Sequence, residues 1–378
     1  MVASALCDNA RDPGGRNCYP VVRTNATSKR GGVTVAYTVI LTSVGLEMAA
    51  DLIMRLRTSA THEVRVIAVE RRSDVNARHF ADAFVCIDSW DPQTFAVGVV
   101  RVAEQYDADL VLPLVDGDVL ALAPYAETFA ALGCRLACNR PELVDTLADK
   151  LAAYRLFTQV GLPVPDWRAA DSRERLVAAV EQMFGLYGEV VVKPAMAQSS
   201  RGVSVVRNAI HGAQEYLGSR EVHMDYDTFM TRFVDVYDAL FPVVVMKRLC
   251  EPVHDLDVLA WEGEAHRVVA RRRRNTALPN EGHEILDSPV LRDLGRDIAK
   301  KLGLSWLVDC DVMFDETGAP CLLEVNPRPS HSAVVPMAAG APLLDDLISL
   351  ARGLPIAEAA EPKPALVVPY RTMAIAQT

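Results

Sequence analysis

Strand-like runs alternate with helical stretches in the first third of the chain, and this alternation most constrains the fold. The strand-like runs cover residues 33–41, 64–69, 84–87 and 110–114. Strands that alternate with helices form a parallel, doubly wound sheet, which binds ligands at the carboxyl ends of its strands. Two polar segments, Thr42-Ser43-Val44-Gly45 and Asp116-Gly117-Asp118, follow such ends. For either segment alone, the pattern favours an ordinary turn over a binding site.

The rest of the chain follows a different pattern, and 378 residues suit two or three domains. One helix is predicted between Pro141 and Gly161, with Lys150 away from its apolar stripe. From Pro165 onward the strands are expected to be antiparallel. The sequence therefore predicts an α/β front domain followed by an α+β region.

Composition excludes several classes of function. The net charge is −10, so a general affinity for nucleic acid is not expected. No apolar run reaches the length of a membrane span. Residues 1–32 are polar without a secretory signal pattern, and they are interpreted as a flexible tail. The eight cysteines form no Cys-x-x-Cys pair, so reduced thiols and a cytoplasmic location are expected.

A strand ending in Lys193 leads into a loop rich in small and hydroxyl residues. The loop covers residues 194–202, and residues 203–206 are predicted to return as a second strand. Backbone N–H groups and hydroxyls in such a loop can bind phosphates, and the lysine adds a positive charge. The loop lacks Gly-Lys-Ser/Thr and is not a Walker A motif. Many surface hairpins share its composition, so this signal is weak alone.

A predicted hairpin near the C-terminus brings acidic residues together. Its strands are expected at 307–314 and 320–325, with the turn centred between Thr317 and Gly318. This register places Asp311 opposite Glu324, and residues 309 and 326 opposite each other on the same face. Directly opposed like charges destabilise a hairpin, whereas a divalent cation between them would stabilise it. The alternative is a solvated polar face.

The ligand types in this hairpin favour magnesium. Two carboxylates, Asp311 and Glu324, and the amide oxygen of Asn326 are hard oxygen donors. Arg328 follows two residues later and could stabilise a transferring phosphoryl group. The string Glu-Val-Asn-Pro-Arg at 324–328 favours the metal interpretation over the solvated face.

Together with the interval from Asp311 to Glu324, this string resembles the ATP-grasp enzymes. The resemblance covers about residues 33–353 and is strongest to the branch of carbamoyl phosphate synthetase and biotin carboxylase. It implies the ATP-grasp fold, with a doubly wound parallel-sheet domain, a small lid and a C-terminal antiparallel sheet. The implied parts are a tail (1–32), an α/β domain (33–140), a connecting helix (141–164), a lid subdomain (165–247) and a C-terminal subdomain (248–378).

The resemblance also implies roles for individual residues. The implied nucleotide contacts are Lys150 and Lys193 on phosphates, Ser199, Ser200 and Gly202 in the mobile loop, Met246, Lys247 and Leu249 at the adenine hinge, and Asp257 on ribose. The implied metal ligands are Asp311, Glu324 and Asn326. The implied catalytic residues are Arg328, Lys193, Arg271 and Arg273.

Some assignments stay open. Met246 stands where relatives often have Glu or Gln, and Glu251 and His254 compete with Asp257 for the ribose. Arg271 and Arg273 share one face of a predicted strand and could bind phosphate or a substrate carboxylate. A solvated face is equally consistent with the four arginines 271–274.

The implied activity is ATP-dependent ligation of a small carboxylate to an amine through an acyl phosphate. The expected cofactors are ATP and Mg²⁺, as two ions, with Mn²⁺ as an alternative. The expected partners are small-molecule substrates and a second copy of the chain, with neither nucleic acid nor membrane. The alternatives are transfer to a non-amine acceptor and, ranked last, a non-catalytic nucleotide-binding regulator.

Overall fold

The computed structural model describes residues 21–23, 36–196, 202–208, 213–215, 221–275, 281–356, 358, 361–370 and 373. The chain folds into two compact units, one of Met1–Ala137 with Ala374–Thr378 and one of Cys138–Met373. Within the described ranges, no helix is both long enough and apolar enough to cross a membrane.

The first unit is built on a six-stranded sheet. Its strands are β1 (Val21–Arg23), β2 (Tyr37–Thr42), β3 (Val64–Glu70), β4 (Ala83–Cys86), β5 (Leu110–Pro113) and β6 (Arg135–Leu136). Its helices are α1 (Ala49–Arg57), α2 (Pro92–Gln105), α3 (Asp116–Leu122) and α4 (Ala126–Ala131). The order is β1-β4-β3-β2-β5-β6, and all neighbours pair in parallel except β1 with β4. The predicted doubly wound sheet is confirmed.

The second unit starts with two helices, α5 (Pro141–Ala148) and α6 (Lys150–Gln159). The prediction of one continuous helix is wrong because Asp149 has extended backbone angles between them. The Asp149 carboxylate accepts hydrogen bonds from the N–H groups of Leu151 and Ala152, at 2.8 and 3.1 Å. This is an N-cap, and it makes Lys150 the first residue of α6.

A second six-stranded sheet carries the predicted phosphate loop. Its strands are β7 (Trp167–Ala170), β8 (Glu189–Pro194), β9 (Ser204–Arg207), β10 (Ala213–Glu215), β11 (Val222–Met224) and β12 (Val243–Lys247). Their order in the sheet is β10-β11-β9-β8-β12-β7. The helices of this part are α7 (Arg173–Tyr187) and α8 (Tyr226–Thr228). The expectation of antiparallel strands fails for β9 and β11, which are parallel. The reason is that β10 follows β9 in sequence and forms a hairpin with β11, which reverses the direction of β11.

The third sheet is entirely antiparallel, as predicted. Its strands are β13 (Cys250–Trp261), β14 (Glu264–Arg273), β15 (His283–Leu286), β16 (Trp306–Phe314), β17 (Pro320–Asn326) and β18 (Ala365–Val367), in the order β17-β16-β13-β14-β15-β18, with helices α9 (Pro289–Leu302), α10 (Val334–Ala338) and α11 (Leu343–Ala351). Helix α9 packs Leu294 and Ile298 against Val258 and other apolar side chains of one sheet face. The alternate residues of these strands therefore face the other side, where polar groups gather.

The register of β16 and β17 matches the prediction at the acidic residues. Asp311 pairs with Glu324, and Asp309 pairs with Asn326. Closer to the turn the register differs by one residue, because Leu323 is an extra residue that forms a β-bulge. The predicted turn centre is therefore wrong by half a residue, while the predicted pairs are correct.

Candidate functional site

The polar face of the third sheet carries five acids on three neighbouring strands. Asp255 and Asp257 lie on β13, Asp309 and Asp311 on β16, and Glu324 on β17. The register pairs Asp255 with Asp311, Asp257 with Asp309, and Asp311 with Glu324. Packing so many carboxylates together requires compensating cations, bound protons or a metal ion.

The donor atoms on this face fit a divalent cation. Carboxylate oxygens of Asp255, Asp309 and Asp311 lie within 4.8 Å of one another, and the buried Oδ1 of Asp309 accepts no hydrogen bond from the described residues. Burial and the neighbouring Asp311 raise the pKa of Asp309 well above its usual value. Burial also raises the pKa of Asp311 to about 6, although Arg273 opposes the shift. A hard cation such as Mg²⁺ would keep both carboxylates ionised.

The predicted ligands Glu324 and Asn326 adjoin these carboxylates. The Asn326 amide nitrogen donates to Asp309 at 3.4 Å, which leaves the amide oxygen as its ligand atom. Burial raises the pKa of Glu324, but Lys150 and Lys193 outweigh it and hold that pKa below the usual value. Glu324 is therefore ionised at neutral pH, as its predicted role as a metal ligand requires.

Besides Arg271, which pairs with Asp255 and Asp257, three cations form ion pairs with acids of this site. The pairs are Lys150 with Glu324 at 2.8 Å, Arg273 with Asp311 at 2.7 Å, and Arg328 with Asp309 at 3.6 Å. These side chains are largely buried, with 6–33% of each exposed. The predicted phosphate-binding and metal-binding residues thus meet at one place.

Lys193, on β8, also faces Glu324. Burial lowers the pKa of Lys193, and the nearby Glu324 and Glu221 counteract this effect. Within the described part of the chain, no acid lies at ion-pairing distance from its Nζ. Among the described residues, Lys193 is therefore a half-buried cation that forms no ion pair.

Arg271 is a correction to the predicted site. Its side chain is completely buried, and its guanidinium contacts Asp257 at 2.6 Å and Asp255 at 3.2 Å. It also donates to Ser332 Oγ at 2.8 Å and lies 3.0 Å from His283 Nδ1. Because its hydrogen-bonding groups are directed at buried partners, this geometry favours a structural role for Arg271 over the predicted contact with a phosphate or a substrate carboxylate.

Asp257 is a second correction. Its side chain is fully buried and paired with Arg271, so a ribose cannot approach it. Of the two competing candidates, His254 is 7% exposed and packs edge-on against Phe314. The Glu251 carboxylate is half exposed beside Arg248. The geometry therefore favours Glu251 for a ribose contact.

The predicted adenine hinge has only part of its polar groups available. Met246 is buried, and its sulfur accepts a hydrogen bond from Tyr154 Oη at 3.5 Å. The Lys247 N–H donates to the Asp166 carbonyl at 2.9 Å. A side-chain contact from Met246 to a base is therefore excluded. The Lys247 carbonyl and the backbone of Leu249 remain the predicted contacts.

The phosphate loop is described in part. Ser199 and Ser200 lie outside the described residues. Gly202 has a φ of 70°, and its carbonyl accepts a hydrogen bond from Tyr237 Oη at 2.9 Å. An added Cβ would lie 3.0 Å from Pro194 Cγ. Glycine is therefore required at the point where the loop returns to β9.

Asp255 is a site residue that sequence reasoning missed. Burial raises its pKa, but Arg271 and Arg273 outweigh this effect and hold the pKa of Asp255 below its usual value. It accepts hydrogen bonds from Arg273 Nε at 3.0 and 3.1 Å. The available signal was its position two residues before Asp257, which puts both acids on one face of a strand.

The first unit contains a separate polar cluster. Asp118 is fully buried and accepts hydrogen bonds from Thr42 Oγ1 at 2.5 Å and Ser43 Oγ at 2.7 Å. Arg71 lies 2.8 Å from the same carboxylate. The two polar segments at the strand ends hold each other in place, which supports their interpretation as structural turns.

Comparison with known protein families finds two matches. Residues 240–374 match the family described as "ATP-grasp in the biosynthetic pathway with Ter operon". Residues 39–137 match the family described as "PylC-like, N-terminal domain". The first match covers the third sheet and its acidic face, and the second covers most of the doubly wound sheet.

Curated proteins similar to part of this chain include a ligase. A D-alanine–D-alanine ligase of Laribacter hongkongensis is 31% identical over 199 residues, which is 50% of this chain and 60% of that protein. The chain spans about half to two thirds of the length of the curated relatives it matches first.

Solved structures share the fold. An N5-carboxyaminoimidazole synthetase from Staphylococcus aureus has a TM-score of 0.66 at 13% identity, covering 88% of this chain and 82% of that one. Biotin carboxylase from Campylobacter jejuni, solved as a β,γ-ATP complex, has a TM-score of 0.64 at 17% identity, covering 86% and 72%. At these identities the likeness shows the fold alone.

Proposed function

We propose that the chain, whose residues 240–374 match an ATP-grasp family, is an ATP-dependent ligase that joins a small carboxylate to an amine through an acyl phosphate. The observation that carries this proposal is the meeting of hard oxygen donors with phosphate-binding cations on one sheet face. Lys150, Lys193 and Arg328 approach the acids that fit a divalent metal. Phosphoryl transfer needs this combination of positioning and charge neutralisation more than it needs a nucleophilic side chain.

Each group has a defined role in the proposed reaction. Asp311, Glu324 and Asn326 would hold Mg²⁺, which supplies charge neutralisation at the β- and γ-phosphates when bound. Lys150 and Lys193 bind phosphate oxygens of the nucleotide substrate. Arg328 stabilises the negative charge on the transferring phosphoryl group and then on the acyl phosphate.

The remaining steps are carried by the substrates. The substrate carboxylate attacks the γ-phosphorus and ADP leaves. The amine then attacks the acyl carbon and phosphate leaves, which gives an amide. Closure of the lid subdomain would exclude water that would otherwise hydrolyse the acyl phosphate.

We further propose substrates that are small and resemble amino acids. Support comes from the similarity to a D-alanine–D-alanine ligase, whose name describes the joining of two amino acids. A cytoplasmic location and a homodimer stay expectations from the sequence.

The test is a panel of carboxylates and amines, read out by Mg²⁺-dependent ADP release and by mass spectrometry of the products. We expect one carboxylate–amine combination to release ADP and to yield an amide. A stable phosphorylated product would instead indicate transfer to a non-amine acceptor. No ADP above background across a broad panel would contradict the ligase proposal.

Glu324→Gln tests the metal site under the same conditions. It removes a ligand charge at nearly constant shape, so turnover is expected to fall by at least about 100-fold, as for removal of a transition-state contact. The matched control is Glu284→Gln on β15, where an exposed glutamate pairs with Arg272. Activity near that of the unmodified protein in Glu324→Gln would remove Glu324 from the metal site.

A further inference from the structure

Three ion pairs link acids at or beside the proposed metal centre to neighbouring cations, in addition to the pairs that Arg271 makes with Asp255, Asp257 and Asp309. Lys150 pairs with Glu324 and Arg273 with Asp311, two acids of the proposed metal centre. Arg328 pairs with Asp309, which adjoins that centre and accepts a hydrogen bond from Asn326. The acids come from β16 and β17, whereas the cations come from α6, β14 and the segment after β17. Chain connectivity does not impose this matching, so it is a property of the folded site.

These ion pairs weaken the binding of the metal ion without the nucleotide, and of the nucleotide without the metal ion. A metal ion that reaches Glu324 without nucleotide must compete with the Lys150 ammonium 2.8 Å away. A phosphate that reaches Lys150 without metal must draw it from Glu324 and leave a largely buried carboxylate uncompensated. Leaving one member of a buried pair uncompensated is costly, so each ligand alone meets a penalty.

We propose, on the premise of the function given above, that Lys150, Arg273 and Arg328 are exchange groups. With the site empty they neutralise the metal-binding acids. When metal and nucleotide bind together, the metal takes over the acids and the cations transfer to phosphate oxygens. Metal and nucleotide therefore bind with positive coupling, and by linkage each raises the affinity of the other by the same factor.

Arg273 differs from Lys150 and Arg328 because it also pairs with Asp255. The Nε of Arg273 donates to both oxygens of Asp255, at 3.0 and 3.1 Å, and Nη2 donates both to Asp255 and, at 2.7 Å, to Asp311. The guanidinium can thus release Asp311 while it stays attached to Asp255. We assign Asp255 as the positioning residue that keeps Arg273 at the site throughout the exchange.

Lys193 differs from the exchange groups and provides an internal control. Among the described residues, no acid pairs with its Nζ, although the charge of Glu324 acts on it. A phosphate can reach Lys193 without breaking an ion pair. Loss of Lys193 should therefore weaken nucleotide binding without releasing any metal ligand.

The experiment measures Mn²⁺ binding to the full chain by electron paramagnetic resonance, with and without β,γ-methylene-ATP. In the unmodified protein, the nucleotide is expected to raise the Mn²⁺ affinity by about 5- to 150-fold, the usual range for coupled ligands. Direct contacts between Mn²⁺ and phosphates would also give positive coupling. The variants therefore decide the question.

Lys150→Met is expected to raise the affinity for Mn²⁺ alone by about fivefold or more, the low end of the coupling range, because Glu324 is released. The same variant should bind β,γ-methylene-ATP more weakly and show a smaller coupling factor. Arg273→Gln is expected to raise the affinity for Mn²⁺ alone through Asp311. A gain of affinity in either variant cannot result from misfolding.

Two lysine variants serve as controls. Lys193→Met should bind nucleotide more weakly and should raise the affinity for Mn²⁺ alone less than Lys150→Met does, because Lys193 acts on Glu324 through its charge without a direct ion pair. Lys301→Met removes a lysine from a lysine–carboxylate pair with Asp297 on α9, away from the site, and should change neither affinity.

Unchanged or lower affinity for Mn²⁺ alone in both folded exchange variants would overturn the exchange proposal. That outcome differs from failure of the proposed function, in which the unmodified protein would bind no β,γ-methylene-ATP or form no product.

Discussion

Arg271→Met is expected to destabilise the second unit strongly while Arg272→Met, one residue along, is expected to have little effect. Arg271 is fully buried and contacts Asp257 at 2.6 Å and Asp255 at 3.2 Å. Methionine fills much of the same volume without charge, so the buried carboxylates lose their main counter-charge. Arg272 lies on the same strand, but its partner Glu284 is exposed to solvent.

The expected magnitude follows from this difference in burial. Removal of one partner from a buried ion pair costs about 3–5 kcal/mol of unfolding free energy. For a unit of roughly 150–250 residues, each kcal/mol lowers Tm by about 2–4 °C, so the decrease should be about 6–20 °C. Loss of an exposed pair costs at most about 1 kcal/mol, or less than about 4 °C.

The pH dependence provides a second readout for Arg271→Met. Arg271 helps to hold the pKa of Asp255 below its usual value. A lowered native-state pKa stabilises the folded protein above the unfolded-state value of about 3.9, and this contribution is lost as pH falls. Without Arg271, the burial of Asp255 is less fully compensated, so the variant binds a proton on Asp255 at a higher pH than the unmodified protein does. Protonation relieves the variant by pH 4, and the stability difference between the two proteins should therefore be larger at pH 7 than at pH 4.

The assay is thermal and urea unfolding followed by circular dichroism at both pH values. If Arg271→Met does not fold at pH 7, Ser332→Ala serves as a milder variant. It removes one hydrogen-bond acceptor from Arg271 and should cost about 1–2 kcal/mol. A cost for Arg271→Met no larger than that for Arg272→Met would refute the structural role and return Arg271 to the list of substrate contacts.

Two further predictions rest on packing and exposure. Gly295→Ala should lower the free energy of unfolding by about 1–3 kcal/mol, because the new Cβ would lie 2.5 Å from Val268 Cγ1. Gly185→Ala in α7 meets no atom within 4 Å and should raise the free energy of unfolding by up to about 1 kcal/mol. Urea midpoints that shift in the same direction for both variants would contradict this. Iodoacetamide at pH 8 should label the exposed Cys250 in the native protein and should not label Cys134, because burial raises the pKa of the Cys134 thiol to about 12. The labelling rates are measured by peptide mass spectrometry, and equal rates would contradict the burial of Cys134.

The front sheet could be predicted because its strands carry their own signal. Strands of a parallel sheet are buried on both faces, and β2 and β3 accordingly contain near-continuous apolar runs. The break at Asp149 was harder to predict, because the apolar spacing of Leu143, Leu147 and Leu151 continues across it. An aspartate with two backbone N–H groups to cap was the available signal, and the apolar spacing masked it.

The pairing of the acidic residues in the β16–β17 hairpin agrees with the prediction because two differences from the predicted hairpin compensate each other. The turn is centred half a residue earlier than predicted, and the extra residue Leu323 in β17 then restores the predicted register at Glu324. A sequence shows which residues favour a turn, whereas the position of a bulge depends on how both strands pack. The pairing of Asp311 with Glu324 therefore depends on the bulge at Leu323, which the turn residues alone do not specify.

The network around Arg271 shows how such a bulge could be deduced. The β13–β14 turn has positive φ at Glu262 and Gly263, and an unbulged hairpin from it would place Asp255 opposite Ala270. That register would direct Arg271 into the apolar core beneath α9, at a prohibitive cost for a charged group.

Matching apolar residues of β13 with apolar residues of β14 instead pairs Val258 with Val268 and Leu256 with Ala270, as observed. One extra residue near the turn is then required, and the structure provides it at His266. The same shift pairs Asp255 with Arg271 on the polar face. The composition of the two strands thus implies both the bulge and the buried ion pair, provided that the register is derived from the core and not from the turn.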